Sequence, residues 1–355
     1  MKTIRMIILT VASLLILIAL YIFGVKSFDR FCREACYQCI IRPLVQDRSV
    51  LIPKSGTFSL GLYRPELPYQ FTTLYAIQES LSVPFSIISY YQAWGDGSEH
   101  RFNPAVGRNL RKGGFVPMIT WEPWIVAFNG YSAGDNPDSS LTIINSGVFD
   151  EYIKQYARSI VRFGKPVFIR PGHEMSNAWY PWSMQHGNSP ESYRAFWRHV
   201  VTIFREQGAR NAAFVWNPYT PGDTVCYPGN EWVDWVGLDI FNFGTLAENG
   251  GWMDFYTITK ILYDAIRGYG KPVIIAEVGC ADAGGNKTIW FRDMFHYLAV
   301  KNFPLVKALV LFDTPHATTP GGLPVDLGIS SSGALTVIAK TDLSTLNINH
   351  HTKKE

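Results

Sequence analysis

Two glutamates carry the sharpest chemistry in this sequence. Glu174 sits in the run Arg170-Pro171-Gly172-His173-Glu174-Met175-Ser176-Asn177-Ala178-Trp179-Tyr180-Pro181-Trp182, and Glu277 closes the apolar run Val273–Ala276. Two carboxyl groups in one site divide a task that neither does alone. One, kept protonated, gives its proton to a departing oxygen; the other, kept ionised, attacks carbon or activates water. That division requires environments that push their pKa values apart. His173, by hydrogen bonding, and Trp179, by desolvation, are placed to act on Glu174, while donors such as Arg170 favour an anionic Glu277. Glu122, between Trp121 and Pro123, is a third carboxylate and reads as a contact or packing residue rather than a reacting group. The competing reading makes these glutamates buried structural carboxylates paired with Arg170.

Other chemistries have less to stand on. His173-Glu174 is not followed by a second histidine at ligand spacing, so no metal site is expected. No Gly-rich dinucleotide or phosphate loop follows the first strand, and no cofactor is expected. Cys226 and Cys280 have no nearby histidine partner and read as packed thiols. Cys32, Cys36 and Cys39 spell C-x3-C-x2-C, the spacing that radical S-adenosylmethionine enzymes use for an iron–sulfur cluster. Here the triplet follows an apolar N-terminal run instead of a barrel strand. Its spacings of 4 and 3 put the thiols on one helical face, which favours a juxtamembrane face, lipidated or cross-linked. The net charge is +3 with no basic run, so no nucleic acid is expected as a partner. Aromatic residues make up 14% of the chain, more than a core alone needs, and point to flat faces that stack on a ligand.

The elements that must hold these side chains alternate along the sequence. Short apolar runs occur at Ser59–Tyr63, Phe85–Tyr90, Phe115–Thr120, Val167–Arg170, Ala212–Trp216, Trp235–Asp239, Val273–Ala276 and Ala308–Phe312, each reading as a strand covered on both faces. Between them lie amphipathic helical stretches such as Phe149–Phe163 and Asn286–Asn302, and a helix opening at Ser189-Pro190-Glu191. Gly-Lys-Pro-Val recurs at 164–167 and 270–273, where glycine closes a helix and proline prevents its continuation into the next strand. Eight strands alternating with helices predict an α/β fold, a (β/α)8 TIM barrel over residues 55–342. A doubly wound open sheet is the runner-up.

In such a barrel the chemistry gathers where the strands end. The ends here are Tyr91-Gln92-Ala93-Trp94, Trp121-Glu122-Pro123-Trp124, the long Arg170–Trp182 run, Trp216-Asn217-Pro218-Tyr219, Asp239-Ile240-Phe241-Asn242, Glu277 and Phe312-Asp313. Carboxylates among indoles and phenols suit a carbohydrate, whose C–H faces stack on rings while its hydroxyls meet Asp, Asn, Arg and His. The run Arg170–Trp182 resembles the R-x-x-H-E-M-N-G-x-W-x-P-W signature of glycoside hydrolase family 26, the β-mannanase-like enzymes. Thr120-Trp121-Glu122-Pro123-Trp124, Val215-Trp216-Asn217-Pro218, Asp234-Trp235-Val236-Gly237-Leu238-Asp239 and Pro272–Gly279 resemble further family segments in order.

The resemblance implies a retaining endo-β-glycosidase on a polysaccharide partner, mannan first. Glu174 is then the acid/base and Glu277 the nucleophile, with Arg170 and Asp239 supporting the pair and His173, Trp179, Trp121, Glu122, Asn217 and Phe241 in the substrate site. Two departures stand out: Ser176-Asn177 replaces the family's Asn-Gly, and Phe241 replaces a tyrosine whose hydroxyl normally touches the nucleophile. A non-catalytic polysaccharide-binding barrel that assists exopolysaccharide synthesis or export is the alternative.

Met6 to Val25 are twenty residues without a charge, a rod of about 30 Å if helical. The expectation is a single-pass membrane anchor over 1–25, a juxtamembrane linker over 26–54 and a polar tail over 343–355. An extracytoplasmic catalytic domain fits a polymer substrate; secretion after signal cleavage is the competing reading.

Overall fold

Strands β1 (Ser59–Tyr63), β2 (Ile87–Ala93), β3 (Val116–Glu122), β4 (Val167–Pro171), β5 (Ala212–Trp216), β6 (Trp235–Asn242), β7 (Val273–Cys280) and β8 (Val306–Phe312) pair in chain order, every neighbour parallel, and close on themselves. Closure runs over the full length of β1, from Ser59 opposite Ala308 to Tyr63 opposite Phe312. The computed structural model of the 355-residue chain describes residues 46–52, 58–81, 84–131, 140–248 and 250–329. Each expected strand is present. Several extend two to four residues past the apolar run at their C-terminal ends, because polar residues there still pair with the neighbouring strand (Gln92 with Trp121, Asn242 with Cys280).

Helices follow the strands: α1 (Thr72–Leu81), α2 (Pro104–Gly113), α3 (Ser140–Asn145), α4 (Asp150–Phe163), α5 (Pro190–Glu206), α6 (Phe255–Ile266) and α7 (Lys287–Ala299). In α4, acids open the first turn and Gly164, at φ 73°, closes the helix, while Ile153, Tyr156, Ala157 and Ile160 bury one face. The Ser189 hydroxyl caps α5 by accepting from Ser192 N, and Ser192 returns the bond to Ser189 N. The β5–β6 connection departs from strict alternation and carries only a 3-10 turn, Pro221–Cys226. Pro218, Pro221 and Pro228, with Gly222 and Gly229, leave no uninterrupted stretch for an α-helix there.

The barrel interior below the site is apolar: Met118, Phe168, Val215, Trp235, Ile274 and Val310 pack together. Leu51 joins them from a short 3-10 turn, Arg48–Leu51, that seals the N-terminal end of the barrel. Arg48 pairs with Asp234, and its backbone N–H donates to the Arg210 carbonyl. Residues 46–52, expected as linker, thus belong to the barrel. The apolar run Met6–Val25, the cysteines at 32, 36 and 39, and the tail 343–355 lie outside the described residues. Among the described residues no helix is long and apolar enough to cross a membrane.

Candidate active site

Arg170 is the hub of the site, on β4 inside the barrel and fully buried. Its Nε and Nη2 donate to Thr120 Oγ1 on β3, at 3.0 and 2.6 Å. Nη1 reaches the Asp239 carboxylate on β6 at 3.0 and 3.2 Å and Asn217 Oδ1, just past β5, at 3.3 Å. Nη2 also donates to Glu277 Oε1 on β7. One planar fork therefore ties four strand ends together, which a flexible lysine ammonium does not do. Burial disfavours its charge, but Glu277 and Asp239 hold Arg170 well above its ordinary value, so it stays protonated.

Glu174 enters from the other side. Gly172 (φ 51°) and Glu174 itself (φ 52°) both take the left-handed conformation, turning the chain back over the barrel mouth just after β4. The turn is pinned by Glu174 N donating to the Asn217 carbonyl at 2.9 Å and by Asn177 N donating to the Glu174 carbonyl at 2.8 Å. Asn177 Nδ2 donates to Glu174 Oε2 at 2.8 Å. The carboxyl also meets Asp239, whose other contacts are Arg170 and Asn217 Nδ2 at 2.8 Å. Burial, and next the charge of Glu277, push Glu174 up to about 7. The same two causes hold Asp239 well above the usual carboxylate range, and its contact with Glu174 adds to them. A Glu174–Asp239 contact requires a proton between the two oxygens.

The two glutamates singled out in the sequence thus converge within electrostatic reach of each other, from β4 and β7, across one mouth. Arg170, Asp239 and Asn217 join them in one network. Glu122 ends β3 at the rim and accepts from Trp124 Nε1 at 3.2 Å. Burial first, with smaller contributions from the Glu277 and Glu174 charges, pushes it up to about 7.

Three expectations need correction. Trp121 does not line the mouth. Strand residues alternate sides, so with Thr120 and Glu122 turned inward, Trp121 faces the helices. There it is fully buried against Trp94, Tyr152, Tyr156 and Phe204. Trp179 is 76% exposed and desolvates nothing; it stands as a free indole face beside the site, while its backbone N–H donates to Asn177 Oδ1. His173 makes no hydrogen bond to Glu174. Its Nε2 pairs with Tyr180 Oη at 3.0 Å, and burial followed by the Arg170 charge holds it well below its ordinary value, hence neutral. Phe241 packs at the mouth with Phe243 and Phe312 and carries no hydroxyl to Glu277.

Two residues were not singled out. Asn177 is the second residue of the Ser-Asn departure, and an amide three residues after a glutamate in a turn is in reach of its carboxyl. Tyr91, on β2, donates its hydroxyl to Glu277 Oε1. Its inward direction follows from the alternation in β2, where Gln92 points outward and bonds Tyr156.

The model of the glycosyl hydrolase family 26 matches residues 94–279, more than half of the 355. The chain belongs to glycosyl hydrolase family 26. It is 34% identical over 206 residues to endoglucanase H of Acetivibrio thermocellus, covering 55% of this chain and 21% of that protein. It is 29% identical over 223 residues to a mannan endo-1,4-β-mannosidase of Bacillus subtilis, covering 59% of this chain and 55% of that one. The family chain thus spans about a fifth and about half of these two curated relatives. The solved structure of GH26C from Muricauda sp. superposes with a TM-score of 0.62 at 14% identity, over 89% of this chain and 94% of that one, a likeness of fold.

Proposed function

We propose that this family 26 protein is a retaining endo-β-glycosidase that cleaves a β-linked polysaccharide by double displacement. The observation that carries the reading is the asymmetry of the two glutamates: Arg170 donates to Glu277, whereas Glu174, bonded by Asn177 and beside Asp239, is pushed up to about 7. In the first step a Glu277 oxygen bonds to the anomeric carbon as the glycosidic C–O bond breaks, and Glu174 gives its proton to the leaving oxygen. In the second, water attacks the same carbon, Glu174 takes a water proton and the Glu277 ester bond breaks. Retention requires carboxyl groups roughly 5–5.5 Å apart, without room for a water between them.

Mannan is the first substrate to test, given the mannosidase relatives. A β-1,4-glucan is the second, because the relative at 34% identity is named an endoglucanase. The missing hydroxyl at Phe241 is a ground for the non-catalytic alternative. Tyr91, which supplies a hydroxyl to Glu277, counts against it. Incubation of the protein with mannan and mixed β-glucan, followed by proton NMR of the new reducing ends, is expected to show oligosaccharides released first as the β-anomer. First release as the α-anomer excludes double displacement. Glu174→Gln and Glu277→Gln are each expected to lower turnover at least about 10³-fold with folding intact; full activity in either variant removes that residue from the mechanism.

The run Met6–Val25 supports a further part of this reading, a membrane anchor with the barrel on the outer side. Alkaline carbonate extraction of cell membranes tests it: the anchored chain stays in the pellet, and complete release into the supernatant rejects it.

A further inference from the structure

Glu277 has two oxygens, and they are not equivalent. Oε1 accepts from Arg170 Nη2 and from the Tyr91 hydroxyl, whereas Oε2 accepts no hydrogen bond from any described residue. Tyr91 is itself held in place. Its ring meets the edge of Tyr63 on β1 at 5.2 Å, and Tyr63 stacks on Phe312 of β8 at 4.4 Å. The Arg170 guanidinium lies 5.9 Å from the Tyr91 ring centroid, and His173 flanks it at 6.0 Å. The hydroxyl therefore reaches Glu277 from a ring fixed on several sides, and strand alternation leaves it no outward position.

We propose that Tyr91 is a positioning residue for Glu277: with Arg170 it holds Oε1, selects Oε2 as the attacking oxygen, and stabilises the carboxylate as it is released in the second step. The inference rests on the hydrolase reading above. In the first step Oε2 forms the bond to the anomeric carbon and Oε1 becomes the ester carbonyl oxygen. In the second, water adds to that carbon, the C–Oε2 bond breaks with its electron pair returning to the carboxylate, and Glu174 takes the water proton. Negative charge then grows on Glu277, and the O–H and N–H donors already aimed at Oε1 meet it without reorganisation. Losing the Tyr91 hydroxyl slows the second step more than the first, because only the second step regenerates the charge that it binds.

The test uses Tyr91→Phe in the full chain, which removes one oxygen and keeps the ring. The probes are 2,4-dinitrophenyl β-cellobioside and the corresponding β-mannobioside, whose activated leaving group makes the first step fast. Tyr91→Phe is expected to lower kcat about 10- to 100-fold, the usual weight of a hydrogen bond to a charged group. KM should fall nearly in proportion, kcat/KM should stay close to wild type, and a burst of dinitrophenolate equal to the enzyme concentration should appear. A wild-type kcat without a burst overturns the proposal. So does an equal loss of kcat and kcat/KM with a lowered Tm, which is what a merely structural tyrosine gives.

A second measurement needs no variant. In a crystal of the wild-type chain trapped with a 2-deoxy-2-fluoro glycoside, the sugar should be bonded to the oxygen opposite Tyr91, with Tyr91 and Arg170 still on the other. A sugar on the oxygen that Tyr91 holds contradicts the assignment. If the wild type releases no dinitrophenolate beyond the rate of Glu277→Ala, the hydrolase reading fails and takes this inference with it. If the wild type turns over and only the variant disagrees, this inference alone fails.

Discussion

Glu174 is expensive to ionise where it stands, and the cost leaves a mark on stability. Its pKa rises from an ordinary 4.5 to about 7 on folding, through burial and the charge of Glu277. A group whose folded value is raised supports the fold fully below its unfolded value, and that support is lost as pH climbs through the folded one. The protein should therefore lose stability between about pH 4.5 and pH 7 on this account. Glu174→Gln cannot ionise and should escape the loss, becoming more stable than wild type at pH 8 by roughly 1–3 kcal/mol. Urea unfolding at pH 5 and pH 8 measures this, and identical pH dependence in both proteins would show that Glu174 is not the strained group. Arg170 works in the opposite sense. Arg170→Lys leaves Asp239 and Glu277 without the shared fork, so activity should fall at least about 100-fold even where the barrel still folds. Turnover within tenfold of wild type would deny the fork that role.

At the scale of elements, the site depends on close approach between neighbouring strand ends. A Cβ on Gly237 in β6 would lie 2.1 Å from Asn217 Oδ1, the atom that meets Arg170. Gly237→Ala must displace Asn217, which also donates to Asp239. Activity should drop about 10- to 100-fold, with a modest fall in Tm, and steady-state kinetics beside a thermal melt separate the two. Wild-type turnover would mean that Asn217 is dispensable. This dependence also explains what could be read from the sequence. Apolar runs, two of them entered through Gly-Lys-Pro, mark all eight strands, and the Arg170–Trp182 run and Glu277 mark the carboxyl pair. Motif position alone puts Trp121 in the substrate site, whereas the two-residue alternation of the strand turns it toward α4 and α5. Tyr91 and Asn177 are not legible in the sequence because a phenol or an amide gains its role only from a partner's oxygen: Glu277 lies 186 positions from Tyr91 in the chain, and Glu174 is brought to Asn177 by a left-handed turn.

For the molecule as a whole, the seam between β8 and β1 closes the ring on which every strand end depends. Arg64, one residue past β1, pairs with the fully buried Asp313, one residue past β8, and Asp313 Oδ1 accepts from Ile329 N at 2.7 Å. Lys287 at the start of α7 is buried under the carbonyls of Asp326 and Gly328, at 3.0 and 3.1 Å, and fastens the same returning segment. The antiparallel pair β9 (Ala317–Thr318) and β10 (Pro324–Val325) lies between these ties. Asp313→Ala leaves Arg64 with Glu66 as its one ion partner and loosens that segment, with an expected cost of about 3 kcal/mol and a Tm lowered by roughly 6–12 °C in calorimetry; an unchanged Tm would show that the seam holds without this pair. A closed ring is what sets β4 and β7 on opposite walls of one mouth, and double displacement requires that their glutamates share one reaction. The most direct measurement is mass spectrometry of the peptide labelled when the chain is inactivated by a dinitrophenyl 2-deoxy-2-fluoro-β-glycoside. The label should sit on Glu277, and Glu174→Gln should still be labelled. A label on Glu174, Asp239 or Glu122, or steady hydrolysis with no label at all, would contradict it.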